Sequence, residues 1–191
     1  MRSTLPLLLA TALLAGCAHG GLQPFVPDTA TVAPGELGFG VLDSDVPAVN
    51  YAAWAFADPG RTRNNPAAAA RACASMDYIA GQLNTSPRWA NIGALTKMQL
   101  LRGRVEMRRA LGIPLQAPSR LVVIGLAGAA NALTAGNQQA ALAELSNPAF
   151  PDPRATLARL SDLPYLQEAN VSTLKASNEL FGPNGNGAVL P

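Results

Sequence analysis

The chain has 191 residues and a formal net charge of +2, with 49% hydrophobic and 14% charged residues. That is enough apolar material for one domain with a sizeable core, and it excludes both a disordered, charge-rich chain and the global basic field of a nucleic-acid binder. Much of the apolar content is alanine and aromatics are only 5%, a composition that favours helices over sheet.

The chain opens with Arg2, a short positive region, followed by an apolar run from Leu5 to Leu14. About ten residues is far short of the ~20 a spanning helix needs, so the run reads as a removable signal. It passes into Leu14-Ala15-Gly16-Cys17. Position, small residues and cysteine together resemble the lipobox of bacterial lipoproteins, over residues 1–17 only. The resemblance implies a signal peptide over residues 1–16, cleavage before Cys17, a diacylglycerol on its sulfur and a fatty acid such as palmitate on the new amine. Two or three chains hold where one binds marginally, at roughly 0.8 kcal/mol per buried methylene. Ala18 follows the cysteine and no Asp stands there. By the same resemblance, the protein is expected in the cell envelope facing the periplasm, at the outer membrane rather than the inner.

Residues 17–46 are rich in glycine and proline and read as a lipidated tether that becomes an irregular, extended arm. Leu37, Phe39 and Val41 alternate with glycines and suggest a short strand or extended segment packing on the domain. The only histidine, His19, lies in this tether, which removes histidine bases, Ser-His-Asp triads and histidine zinc sites from the folded part.

From Pro47 the pattern turns helical. A short helix to Ala57 ends before Asp58-Pro59-Gly60, and Asn65-Pro66 is an N-cap with proline at the first helical position. That second helix runs to about Leu83, with Ala69, Cys73, Met76, Ala80 and Leu83 on one stripe. Ser86-Pro87 repeats the start signal, for a long helix stopped by Gly112. Its expected core stripe is Ile92, Leu95, Met98, Leu101 and Val105, with Gly93 and Gly103 as places where it bends or divides. Pro118-Ser119 opens a helix to about Ala135 that is apolar or small nearly all round from Leu121 to Leu133, and is therefore expected to be central. Helices over Gln138–Leu145, Pro153–Ser161 (capped by Asp152) and Pro164–Phe181 follow. The expected fold is all-α: a bundle or orthogonal array of about five to seven helices over residues 47–182, with a disordered tail at 183–191.

Chemistry is sparse. With Cys17 lipidated, Cys73 has no disulfide partner; its place on an apolar stripe marks it as buried and structural. Asp43-Ser44-Asp45 fails the calcium-loop pattern, because Ala48 and Trp54 stand where glycine and glutamate belong, and reads as a turn. Tyr51, Trp54 and Phe56 offer aromatic area for a ligand or partner; more simply, Tyr51 and Trp54, three residues apart, pin their helix to the core. Residues 18–60 hold acids and no Lys or Arg, whereas residues 61–120 hold ten basic residues against Asp77 and Glu106. Arg102, Arg104, Arg108 and Arg109 are the densest cluster, opposite the Leu101–Val105 stripe. The simpler reading is a solvated face with Glu106 bridging Arg102; the sharper is an anion-binding face; a third makes these arginines internal partners of acids such as Glu144 or Asp162. No metal, cofactor or nucleic acid is expected. The function expected is a non-catalytic structural or partner-binding lipoprotein, held at the membrane through its N-terminal lipid and meeting an envelope protein or ligand. The alternative is a small-ligand or lipid binder with a cavity beside the 119–135 helix.

Overall fold

A computed structural model of the protein describes residues 27–33, 35–40 and 43–182. Cys17, the leader, the first part of the tether and the tail 183–191 lie outside the described residues. The described residues form an all-α array of seven helices: α1 (Asp45–Phe56), α2 (Pro66–Thr85), α3 (Ala94–Leu111), α4 (Ser119–Thr134), α5 (Gln138–Glu144), α6 (Pro153–Ser161) and α7 (Gln167–Phe181). Among the described residues there is no strand; the segment at Leu37 closes instead as tight turns, with Gly38 N donating to Gly35 O. No helix among them is long and apolar enough to cross a membrane.

Local chemistry sets most helix ends. The side chains of Asn65, Asn137 and Asp152 accept from the backbone amides of Ala68, Ala140 and Ala155, satisfying donors that a helix start leaves open. Gly112 ends α3 in the left-handed conformation, φ 73°, which costs glycine nothing. Ser86-Pro87 behaves differently from expectation. It starts only a single 3-10 turn, Pro87–Trp89, and α3 begins beyond Gly93.

The centre of the molecule is α2, not α4. From Ala68 to Gly81 every α2 residue except Arg71 is buried, and the helix packs against α1, α3, α4 and α6. Its alanines and glycine have little volume, so several helices approach it at once. α4 lies to one side, between α2 and α5, with Ile124 only half-buried and Asn131 exposed. Its small residues serve the approach of α5 and the following loop: a Cβ at Gly125 would lie 2.5 Å from Phe150 Cε2.

The arm is part of the core. Ala30 and Leu37 are each only 1% exposed. The segment runs between α2 and α4, from Asp28 near Gly81 and Ser119 to Leu37 O, which accepts from Arg71 Nη1 at 3.1 Å. A Cβ at Gly81 would stand 2.3 Å from Asp28 O and 2.9 Å from Thr29 Cα, and backbone cannot swing aside as a side chain can. Gly81→Val should therefore unseat the arm at a cost of about 1–3 kcal/mol. Thermolysin should then cut the variant within residues 27–40, where the wild type resists. An unchanged digestion pattern and urea midpoint would contradict this seating.

Three helices without a local side-chain cap take one from elsewhere in the chain. Glu179 of α7 accepts from Gly93 N at 2.9 Å and from Thr96 Oγ1 at the start of α3. Glu106 of α3 returns the contact, accepting from Ala169 N in the first turn of α7 at 3.0 Å. Asp28 of the arm accepts from Ser119 N at 2.6 Å, capping α4. A carboxylate at a helix start also meets the positive end of the macrodipole. The reciprocal pair fixes α3 and α7 as antiparallel neighbours.

Candidate functional site on helix α3

Helix α3 is rotated relative to the sequence expectation, and its four arginines divide between two faces. Arg104 and Arg108 are 7% and 3% exposed, so the solvated or anion-binding face expected of them is absent. Arg108 forks onto Asp77 of α2, with Nε 2.7 Å from Oδ2 and Nη2 2.8 Å from Oδ1. Its remaining donors reach Leu115 O, Ala117 O and Ser119 Oγ, each at 2.8 Å. All five N–H groups are thus used, the condition under which a buried guanidinium is tolerable. Arg104 donates to Asp28 O at 2.8 Å and to Ser119 Oγ at 3.2 Å, and burial draws its pKa below the ordinary arginine value. The internal partner is Asp77, not Glu144 or Asp162. The missed signal was Asp77 itself, four residues beyond Cys73 on the small-residue side of an otherwise alanine-rich helix.

With Leu100, Met107 and Leu111 buried beside those arginines, the expected core stripe is displaced outward. Leu95 is 53% and Met98 44% exposed, and Val105 is half-buried; Ile92 and Leu101 alone of that stripe are buried. Arg102 and Arg109 remain outside. With Val105, Glu106 and Glu168 of α7 they line an open hollow of about 370 Å³. Glu106 does not bridge Arg102 there; its carboxylate is turned to the α7 amide. The hollow therefore carries two guanidinium groups with one carboxylate, Glu168, beside them and a second committed to a helix end.

The other sequence candidates resolve structurally. Asp43 and Asp45 converge on Arg88, whose Nη2 is 2.7 Å from Asp43 Oδ2 and whose guanidinium lies 4.4 Å from the Trp89 ring centroid. Arg88 holds the Asp43 carboxyl below its usual value. Asp45 is buried and accepts from Tyr78 Oη at 2.5 Å and Trp89 Nε1 at 2.7 Å; burial, and then the Asp45 carboxylate, push the Tyr78 phenol well above its usual value. The pair is a structural cluster that locks the start of α1 to α2. Among the described residues no group of His, Cys, Asp and Glu could hold a metal ion.

Phe56 is buried and Tyr51 half-buried, its ring tilted by 50° to that of Phe39 of the arm with centroids 5.5 Å apart. Tyr51 and Phe56 pin α1, whereas the simpler reading expects Tyr51 and Trp54 to do so. Trp54 stays 47% exposed beneath the Arg61 guanidinium. Cys73 is buried, and desolvation raises its thiol pKa far above normal, which opposes formation of the thiolate. No protein-family model matches the chain, and neither a curated protein nor a solved structure is significantly similar to it.

Proposed function

We propose that the protein is a lipid-anchored, non-catalytic lipoprotein of the bacterial envelope, facing the periplasm at the outer membrane, whose helical domain presents a surface to a partner. The observation that carries the partner-binding part is the outward stripe of α3. Leu95 and Met98 are exposed on a helix whose charged residues Arg104 and Arg108 are buried, an inversion that leaves apolar area uncovered where solvation alone would place charge. The anchor rests on Leu14-Ala15-Gly16-Cys17. Asp28 is held to the domain through Arg104 and Ser119, which leaves ten residues, 18–27, as the tether from Cys17. At ~3.3–3.6 Å per extended residue such a tether holds the domain within roughly 35 Å of the membrane.

The test of the anchor is Cys17→Ala. Cells fed an alkynyl palmitate should label the wild type and not the variant, which should remain unprocessed or move to soluble fractions. A variant that is still labelled, or that partitions into membranes as strongly as the wild type, would sink the reading.

A further inference from the structure

The exposed stripe of α3 has a counterpart on its antiparallel neighbour. Val171, Leu174 and Phe181 of α7 are 44%, 39% and 51% exposed, at the spacing of one helix face. The Gly93–Glu179 and Ala169–Glu106 hydrogen bonds set the register of the two helices. Leu95 and Met98 therefore lie at the same end as Leu174 and Phe181, and Arg109 lies at the same end as Glu168. The two-helix layer is apolar at one end and carries both signs of charge at the other.

We infer that this α3–α7 face pairs with a second copy of the chain. A two-fold axis running along the helices brings α3 of one copy against α7 of the other, antiparallel, and generates a four-helix layer of a common packing type. In that arrangement the apolar ends meet each other. At the opposite end Arg109 of each copy meets Glu168 of the other, twice over by symmetry. The charge pattern separates this occupant from a lipid surface. An anionic bilayer would find Glu168 beside Arg102 and Arg109 in the same hollow, whereas a second copy supplies the complement of each group. Neither arginine is committed to an ion pair among the described residues. The inference identifies the partner in the reading above, and does not depend on the anchor, because Cys17 lies outside the face.

The test uses reversed charges. Two differently tagged full-length copies are co-expressed and one tag is purified in mild non-ionic detergent; stoichiometry is read by sedimentation. Wild-type copies should co-purify as a dimer. Copies that both carry Arg109→Glu, or both carry Glu168→Arg, should co-purify at least tenfold less, with unchanged thermal melting showing that they fold. One copy with Arg109→Glu and one with Glu168→Arg should restore the dimer, since each repulsive pair becomes attractive. Sharing of a detergent micelle through the lipid would be indifferent to these changes, so equal recovery in all four combinations overturns the inference. A monomeric wild type overturns it as well, and so does a mixed pair no stronger than the single variants. If the wild type is monomeric and Arg109→Glu weakens its binding to phosphatidylglycerol vesicles, the face meets lipid instead. Loss of palmitate labelling in Cys17→Ala is a separate readout, so failure of the anchor and failure of the pairing are distinguished.

Discussion

Asp77→Ala should destabilise the domain by about 3–5 kcal/mol, a large share of the roughly 5–15 kcal/mol that holds such a domain folded. The substitution leaves the Arg108 guanidinium, 3% exposed, without its carboxylate. Arg108→Ala should cost a similar amount, since it strips donors from Asp77, Ser119 and the carbonyls of Leu115 and Ala117. The double variant should lose much less than the sum of the two, because removing both partners removes the stranded charge. Urea denaturation of the four proteins measures the coupling. If the two single effects simply add, the pair does not link α2 to α3 as described.

A second large effect is expected at Asp45. Its carboxylate accepts from the buried Tyr78 hydroxyl and the buried Trp89 indole, and Asp45→Ala leaves both donors without an acceptor at about 1–3 kcal/mol each. Asp45→Asn should fall between, since one amide oxygen can serve only one side of the cluster while its NH₂ opposes the other. In a Trp54→Phe background the remaining tryptophan is Trp89, so its fluorescence reports this cluster alone. The Asp45→Ala protein should show red-shifted emission and a lowered melting temperature. Emission and stability matching the parent would mean that Asp45 is not the acceptor holding Trp89.

What could be read from the sequence was what is local. Asn65-Pro66, Asp152-Pro153 and Gly112 each act within one turn of chain, and the helix ends they mark are where the sequence places them. The rotation of α3 was not local. Its sequence carries two overlapping inner stripes, Leu95–Met98–Val105 and Leu100–Arg104–Met107–Arg108–Leu111. The second is buried because Asp77, 31 residues away, and Ser119, 11 residues away, complete the arginine's hydrogen bonds. Hydrophobicity along α3 cannot register that. The central position of α2 was hidden for a similar reason: α4 is the more apolar helix, but α2 has the smaller side chains, and close approach on several sides selects small volume over apolarity. The same overlap conceals the outer face, since hydrophobicity alone places Leu95 and Met98 in the core.

The crossed caps determine when the fold can close. The start of α3 is completed by a glutamate 86 residues downstream, and the start of α4 by an aspartate 91 residues upstream. A truncated chain lacking the arm leaves α4 uncapped, and one ending before Glu179 leaves α3 uncapped. Synthesis from the N-terminus therefore produces nearly the whole domain before its third helix can be finished. The caps of α3 and α4 are thus long-range contacts, which form only once both ends of the domain are present. Its helices would be poor candidates for transplantation one at a time.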